Sequence, residues 1–130
     1  MSRHEFRVRD YLEHMAEAVR RIAEYTAGVS EKEFLANHLM QDAVMRNFGV
    51  LGEAANNCFK VSPNVALQYP QLPFAKIYGL RNQLTHGYWT VDLEILWNVI
   101  ERDVPELQRQ IAAVLESLDS SADKACFNCR

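Results

Sequence analysis

No stretch of this chain approaches the ~20 consecutive apolar residues that a bilayer-spanning helix requires, and nothing in it reads as a membrane span. The opening residues, Met1-Ser2-Arg3-His4-Glu5-Phe6, start polar and lack the apolar stretch of a signal peptide, so the expected compartment is the cytoplasm. Cysteine is scarce, which agrees with that compartment. Cys58 falls in a helical pattern, while Cys126 and Cys129 lie in a polar end segment. A lone Cys-Phe-Asn-Cys could hold half a metal site or a redox pair, but no second half and no βαβ context accompany it, so reduced thiols are expected. His4, His14, His38 and His86 are scattered and offer no ligand spacing for zinc. A basic excess is missing too. The net charge is −3, whereas a nonspecific nucleic-acid binder usually carries a strongly basic surface. Any contact with RNA must therefore be local, a few arginines gathered in a cleft.

What remains is a compact helical chain. Its 130 residues, 48% of them hydrophobic, suffice for one buried core. Between Val8 and Ala27, Val8, Leu12, Met15, Val19 and Ile22 recur at the spacing of one helix face, and Gly28 stops the pattern. Ser30 with Glu33 forms a capping box for a short second helix. A third, long helix is expected from Leu39 to Phe59, with Leu39, Ala43, Phe48, Val50, Leu51, Ala54, Ala55 and Cys58 as buried positions. Residues 62–73 hold three of the four prolines and read as irregular. Pro73 suits the first turn of a fourth helix running to about His86 and ended by Gly87.

Beyond Asp92, Leu93, Trp97, Ile100, Val104, Leu107, Ile111, Val114 and Leu118 make a stripe of heptad spacing. Pro105 is expected to kink or split this last helix, with Asp103 capping its second half. Leu96 and Leu115 widen the stripe, leaving apolar surface whose simplest use is a homodimer. The expected fold is all-α: an up-and-down four-helix bundle with an extra short helix. Its domain covers residues 1–118, and residues 119–130 form a small, polar tail expected to be disordered.

The richest segment is Arg81-Asn82-Gln83-Leu84-Thr85-His86-Gly87-Tyr88. It places a permanent cation, an imidazole titrating near neutral pH and a phenol together at a helix end. Those groups can cut RNA without a metal. Spacing alone does not mark the site, because Arg9 and His14 repeat it on the first helix, where Asp10 follows the arginine and the pattern continues as ordinary amphipathic helix. Asn82 and His86 share a helix face. Arg81 and His86 stand ~140° apart around an ideal helix of ~3.6 residues per turn. They can converge only if the helix end distorts or if two chains share the site. The bland readings stand beside this one: His86 capping its helix, Arg81 in a surface ion pair, and Tyr88 packed with Trp89 and Trp97.

A second polar line runs along the third helix through Asp42, Arg46, Gly49, Glu53 and Asn57. It is either a solvated face carrying an Asp42–Arg46 pair or the lining of a cleft in which Gly49 lets another backbone approach. The usual fate of charged helix residues favours the solvated face.

Residues 73–107 resemble the HepT-like branch of the HEPN superfamily, the toxin half of bacterial HepT–MntA toxin–antitoxin pairs. The matching residues are Pro73-Phe74, Ile77, Gly79-Leu80-Arg81-Asn82, Leu84, His86-Gly87-Tyr88-Trp89, Val91-Asp92, Trp97 and Asp103-Val104-Pro105. Upstream, Asp42-Ala43-Val44-Met45-Arg46-Asn47 and the run from Gly49 to Ala55 are similar to the family's third-helix pattern. The resemblance implies a helical homodimer with a metal-independent endoribonuclease site at its interface and no cofactor of its own, the family's Arg-x4-His-x-Tyr motif corresponding to Arg81, His86 and Tyr88, with Arg81, His86 and Asn82 as the catalytic residues. Asn82 would orient the imidazole or the phosphate. It also implies an MntA-like nucleotidyltransferase antitoxin that uses ATP to place AMP on Tyr88. Arg46, Glu53 and Asp42 gain weight as cleft lining. The alternative it leaves open is a non-catalytic helical subunit that binds a nucleotide or substrate for a nucleotidyltransferase. A dimerisation module without a ligand is plainer still.

Overall fold

A computed structural model describes the backbone of residues 3–86 and 92–128 and the side chains of residues 7–82 and 92–119. Among the described residues six helices follow in order: α1 (Arg3–Thr26), α2 (Glu31–Leu35), α3 (His38–Val61), α4 (Val65–Gln68), α5 (Phe74–His86) and α6 (Leu93–Asn128). The described residues contain no strand. The all-α bundle expectation holds, with two short helices in place of one. The second of these, α4, forms inside the proline-rich stretch read as irregular, with Val65 fully buried beneath it.

Local chemistry sets most of the boundaries. Gly28, at φ 71°, takes the left-handed turn after α1 that other residues adopt only with strain. The Ser30 hydroxyl accepts the Glu33 N–H at 3.2 Å and donates to the Glu33 carboxylate at 3.1 Å, which starts α2. Asn37 caps α3 by accepting the Met40 N–H at 3.0 Å. Asp92 caps α6, accepting the Glu94 and Ile95 N–H groups at 2.9 and 3.3 Å. Gln41 is buried on α3 and donates to the carbonyls of Phe34 and Leu35 at 2.9 and 3.1 Å. That side chain serves carbonyls at the end of α2, where intrahelical donors run out, joining the Asn37 N–H at the Phe34 carbonyl.

α3 is the centre of the molecule, packed against α1, α2, α4 and α5, while α6 lies along α1 and α2. Glu53 meets Arg81 and, further along α3, Phe59 meets Phe74, so α3 and α5 run antiparallel. Arg9 near the start of α1 pairs with Asp119 late in α6, which gives these two helices opposite directions as well. The core is one continuous cluster that includes Leu12, Phe34, Phe48, Leu51, Trp97 and Ile111.

Three expectations need correction. Leu39 and Val50 are exposed, at 81% and 41%, because the buried line of α3 runs instead through Gln41, Val44, Met45, Phe48, Leu51, Gly52 and Ala55. Leu96, expected as partner-facing surface, is buried in this chain's own core. Pro105 does not divide α6, and Asp103 pairs with Lys76 of α5 at 2.9 Å instead of capping a second helix. A proline inside a helix costs ~3 kcal/mol. Val104, Leu107, Ile111 and Val114 are buried around it, and each such burial returns ~1.5–3 kcal/mol, which outweighs the defect. α6 is described as helix to Asn128, and residues 119–128 contain no glycine or proline.

Candidate active site on helix α5

α5 begins immediately after Pro73, whose carbonyl accepts the Ile77 N–H at 3.0 Å. From there the helix carries Arg81 to its crossing with α3. The Arg81 Nε–H donates to Glu53 Oε2 at 2.9 Å, joining residues 28 apart in sequence. The guanidinium carbon also lies 5.9 Å from the centre of the Tyr78 ring, one helical turn earlier, at a distance where the ring face attracts a cation. Beneath the pair, α3 and α5 approach so closely that a Cβ on Gly52 would sit 2.4 Å from Arg81 Cβ and 3.3 Å from its Cα. Only hydrogen fits there.

The cleft alternative for the polar line would have had another backbone approach at Gly49, yet open space surrounds that residue, and the close approach occurs at Gly52. The pattern held a signal for this. Gly52 falls on the apolar line of α3 with Phe48 and Ala55, whereas Gly49 falls on the polar one. Of the polar line, Glu53 is brought to Arg81, at 51% side-chain exposure against 26% for the arginine. Arg46 and Asp42 are exposed on the same helix two and three turns earlier.

Asn82 is half-buried beside Arg81. The His86 backbone closes α5, but its side chain, like the whole of Tyr88, lies outside the described residues. α5 is α-helical without interruption from Phe74 to His86. Five residues of regular helix separate Arg81 from His86 by ~140° and ~7.5 Å. The backbone between them is regular helix throughout.

Next to this crossing, an open groove of about 470 Å³ runs between α5 and α6 over α3, lined mainly by Phe48, Leu51, Ile77, Leu80, Val104 and Leu107. The Lys76–Asp103 pair bridges it. Its walls carry no concentration of like charge. Elsewhere, burial pushes the Cys58 thiol up to about 12, so it is no nucleophile at neutral pH. Among the described residues, no three His, Cys, Asp or Glu side chains gather closely enough to hold a metal ion. No described helix is long and apolar enough to cross a membrane.

Comparison with known proteins adds to this geometry. The chain is 33% identical over 100 residues to the "Probable ribonuclease HepT" of Thermococcus cleftensis, covering 77% of this chain and 88% of that one. It is 30% identical over 108 residues to a "Putative RNase" of Caldanaerobacter subterraneus, covering 83% and 94%. It is also 32% identical over 114 residues to a "Gamma-glutamylcyclotransferase and putative RNase" of Methanocaldococcus jannaschii, covering 88% of this chain but only half the length of that relative. No solved structure matches the chain significantly. Residues 15–114, which include the α3–α5 crossing, match the family described as ribonuclease HepT-like, and to that family this chain belongs.

Proposed function

We propose that the chain is an endoribonuclease that works without a metal, as a homodimer whose two α5 helices meet around one phosphodiester. The observation that carries this reading is the placement of Arg81. It is an arginine anchored between two helices, in a family of ribonucleases, one and a half turns before a histidine. Its fork of N–H donors suits a phosphate, which it can grip through two parallel hydrogen bonds. Because Arg81 and His86 are five positions apart on regular helix, ~140° round its axis, a second copy is the natural source of the group that completes the site.

In the mechanism, neutral His86 takes the proton of the RNA 2′-hydroxyl as that oxygen attacks the adjacent phosphorus. Protonated His86 of the second copy gives a proton to the departing 5′-oxygen. An unperturbed imidazole titrates near ~6.5, which allows both roles near neutral pH. Arg81 holds the charge that builds on the phosphate oxygens, and Asn82 orients the imidazole or the phosphate. The products are a 2′,3′-cyclic phosphate and a 5′-hydroxyl.

In this reading the chain is a toxin, and its partner is a nucleotidyltransferase that uses ATP. The phenol oxygen of Tyr88 attacks the α-phosphorus of ATP, pyrophosphate leaves, and the tyrosine retains AMP. Two residues from His86, that phosphate would offer Arg81 an anion in place of RNA. Tyr88→Phe is expected to leave cleavage intact while abolishing the mass increase of one AMP on co-expression with such a partner. An AMP found on Tyr25 or Tyr78 instead would move the modification site elsewhere.

The deciding experiment incubates the purified chain with total RNA, with and without EDTA, beside Arg81→Ala. The expected result is EDTA-insensitive cleavage to 2′,3′-cyclic phosphate ends, lost in the variant. Tight nucleotide binding without any cut strand would favour the binding-subunit alternative. Cleavage abolished by EDTA would replace the mechanism with a metal-assisted one.

A further inference from the structure

We propose that Glu53 is a positioning residue of this site, aiming the Arg81 guanidinium through the Nε–H while Gly52 lets α3 come near enough for the carboxylate to reach it. The inference rests on the reading of Arg81 as the phosphate ligand, and it assigns a role to a group that does not itself touch RNA. An arginine on an exposed helix surface samples many rotamers and seldom holds its fork in one direction. Arg81 is limited on three sides. Glu53 holds its Nε at 2.9 Å, the Tyr78 ring lies 5.9 Å from its guanidinium carbon, and Gly52 faces its Cβ. Two of these constraints come from α3, and they sit on consecutive residues.

The plainer alternative is an ion pair that merely ties α5 to α3. Two observations weigh against it. Glu53 is half-exposed, and exposed pairs contribute little to folding. The seam also has its own apolar cement in Phe48, Leu51 and Ile77. What the carboxylate adds is direction. A guanidinium held by Nε keeps its plane fixed relative to α3, and a reacting phosphate is sensitive to such alignment.

The test is single-turnover cleavage of a short RNA by the full chain and by Glu53→Ala, Glu53→Gln, Arg81→Ala and the Glu53→Ala/Arg81→Ala double variant. Thermal melting is followed for each. Removing the acceptor is expected to slow the chemical step about 10- to 100-fold, with a smaller change in RNA affinity and little change in melting. Glu53→Gln keeps an oxygen that accepts the Nε–H and is expected to recover most of that rate. In the Arg81→Ala background, Glu53→Ala should cost nothing further, because its effect passes through the arginine. Glu53→Ala cutting at the wild-type rate while Arg81→Ala is inactive would overturn the positioning role alone. So would Glu53→Gln being as slow as Glu53→Ala, which would mark a charge or proton-transfer role. Arg81→Ala cutting as fast as wild type would overturn the nuclease reading of Arg81 and this inference with it.

Discussion

Two segments of this chain carry an arginine and a histidine at the same spacing, Arg9 with His14 on α1 and Arg81 with His86 on α5. Their surroundings differ in kind. Arg9 is satisfied by Glu13 of its own helix at 3.3 Å and by Asp119 of α6, and the exposed His14 ring lies edge-on to Tyr11, ring centres 6.2 Å apart. Arg81 is gripped from a different helix, above a glycine whose missing side chain is a steric requirement. The first arrangement is what helical periodicity makes by itself, since residues four apart on a charged face pair readily. The second needs two helices to approach closely at one position. A motif gains chemical meaning from the groups that constrain it.

The comparison can be broken most directly at the histidines. His86→Ala is expected to slow RNA cleavage by ~10²–10⁴, the usual worth of a general acid–base group, while His14→Ala leaves the rate unchanged. Equal effects in the two variants would erase the distinction between the segments.

The next largest effect separates the two α3 glycines. Gly52→Ala forces a methyl group against the α5 backbone and is expected to destabilise the fold by ~1–3 kcal/mol in urea unfolding, with loss of cleavage. Gly49→Ala, with nothing within 4 Å of the new methyl, is expected to stabilise by up to ~1 kcal/mol through better helix propensity. A stable, active Gly52→Ala protein would show that the crossing can widen without consequence.

The smallest effect belongs to α1. Neutralising Arg9 as Arg9→Gln is expected to leave cleavage intact and to shift the melting temperature only slightly, more at low salt than at high, because exposed pairs are screened. A cleavage defect there would make the α1 segment a second functional site.

Much of the fold was legible in the sequence because periodicity reports burial directly. Every apolar residue named on α1 is buried, and on α6 Trp97, Ile100, Val104, Leu107, Ile111 and Val114 are too, with Leu93 and Leu118 half-buried at the ends. The Ser30 cap and the Pro73 start were readable for the same reason, since each depends on neighbours within one turn. The α3 face was less legible, as a helix packed on several sides carries apolar residues that no single stripe explains. Leu39 and Val50 fell outside the buried face, and Gln41 and Asn47 fell inside it. Those two amides are tolerated in the interior because each donates to a carbonyl, Gln41 to Phe34 and Leu35 and Asn47 to Ala43.

The sequence alone determined the helices, most of their ends, the family and the residue types that could act on a phosphodiester, all of which follow from short-range spacing and side-chain chemistry. Tertiary structure alone decided that Glu53 meets Arg81 across 28 residues, that Gly52 and not Gly49 lies at the crossing, and that α6 continues through Pro105. Each of these depends on the distance between two helices or on the summed burial of a whole face. A local pattern marks which side of α3 faces inward, as it does for Gly52, but it encodes neither quantity, because both arise only when separate parts of the chain pack together.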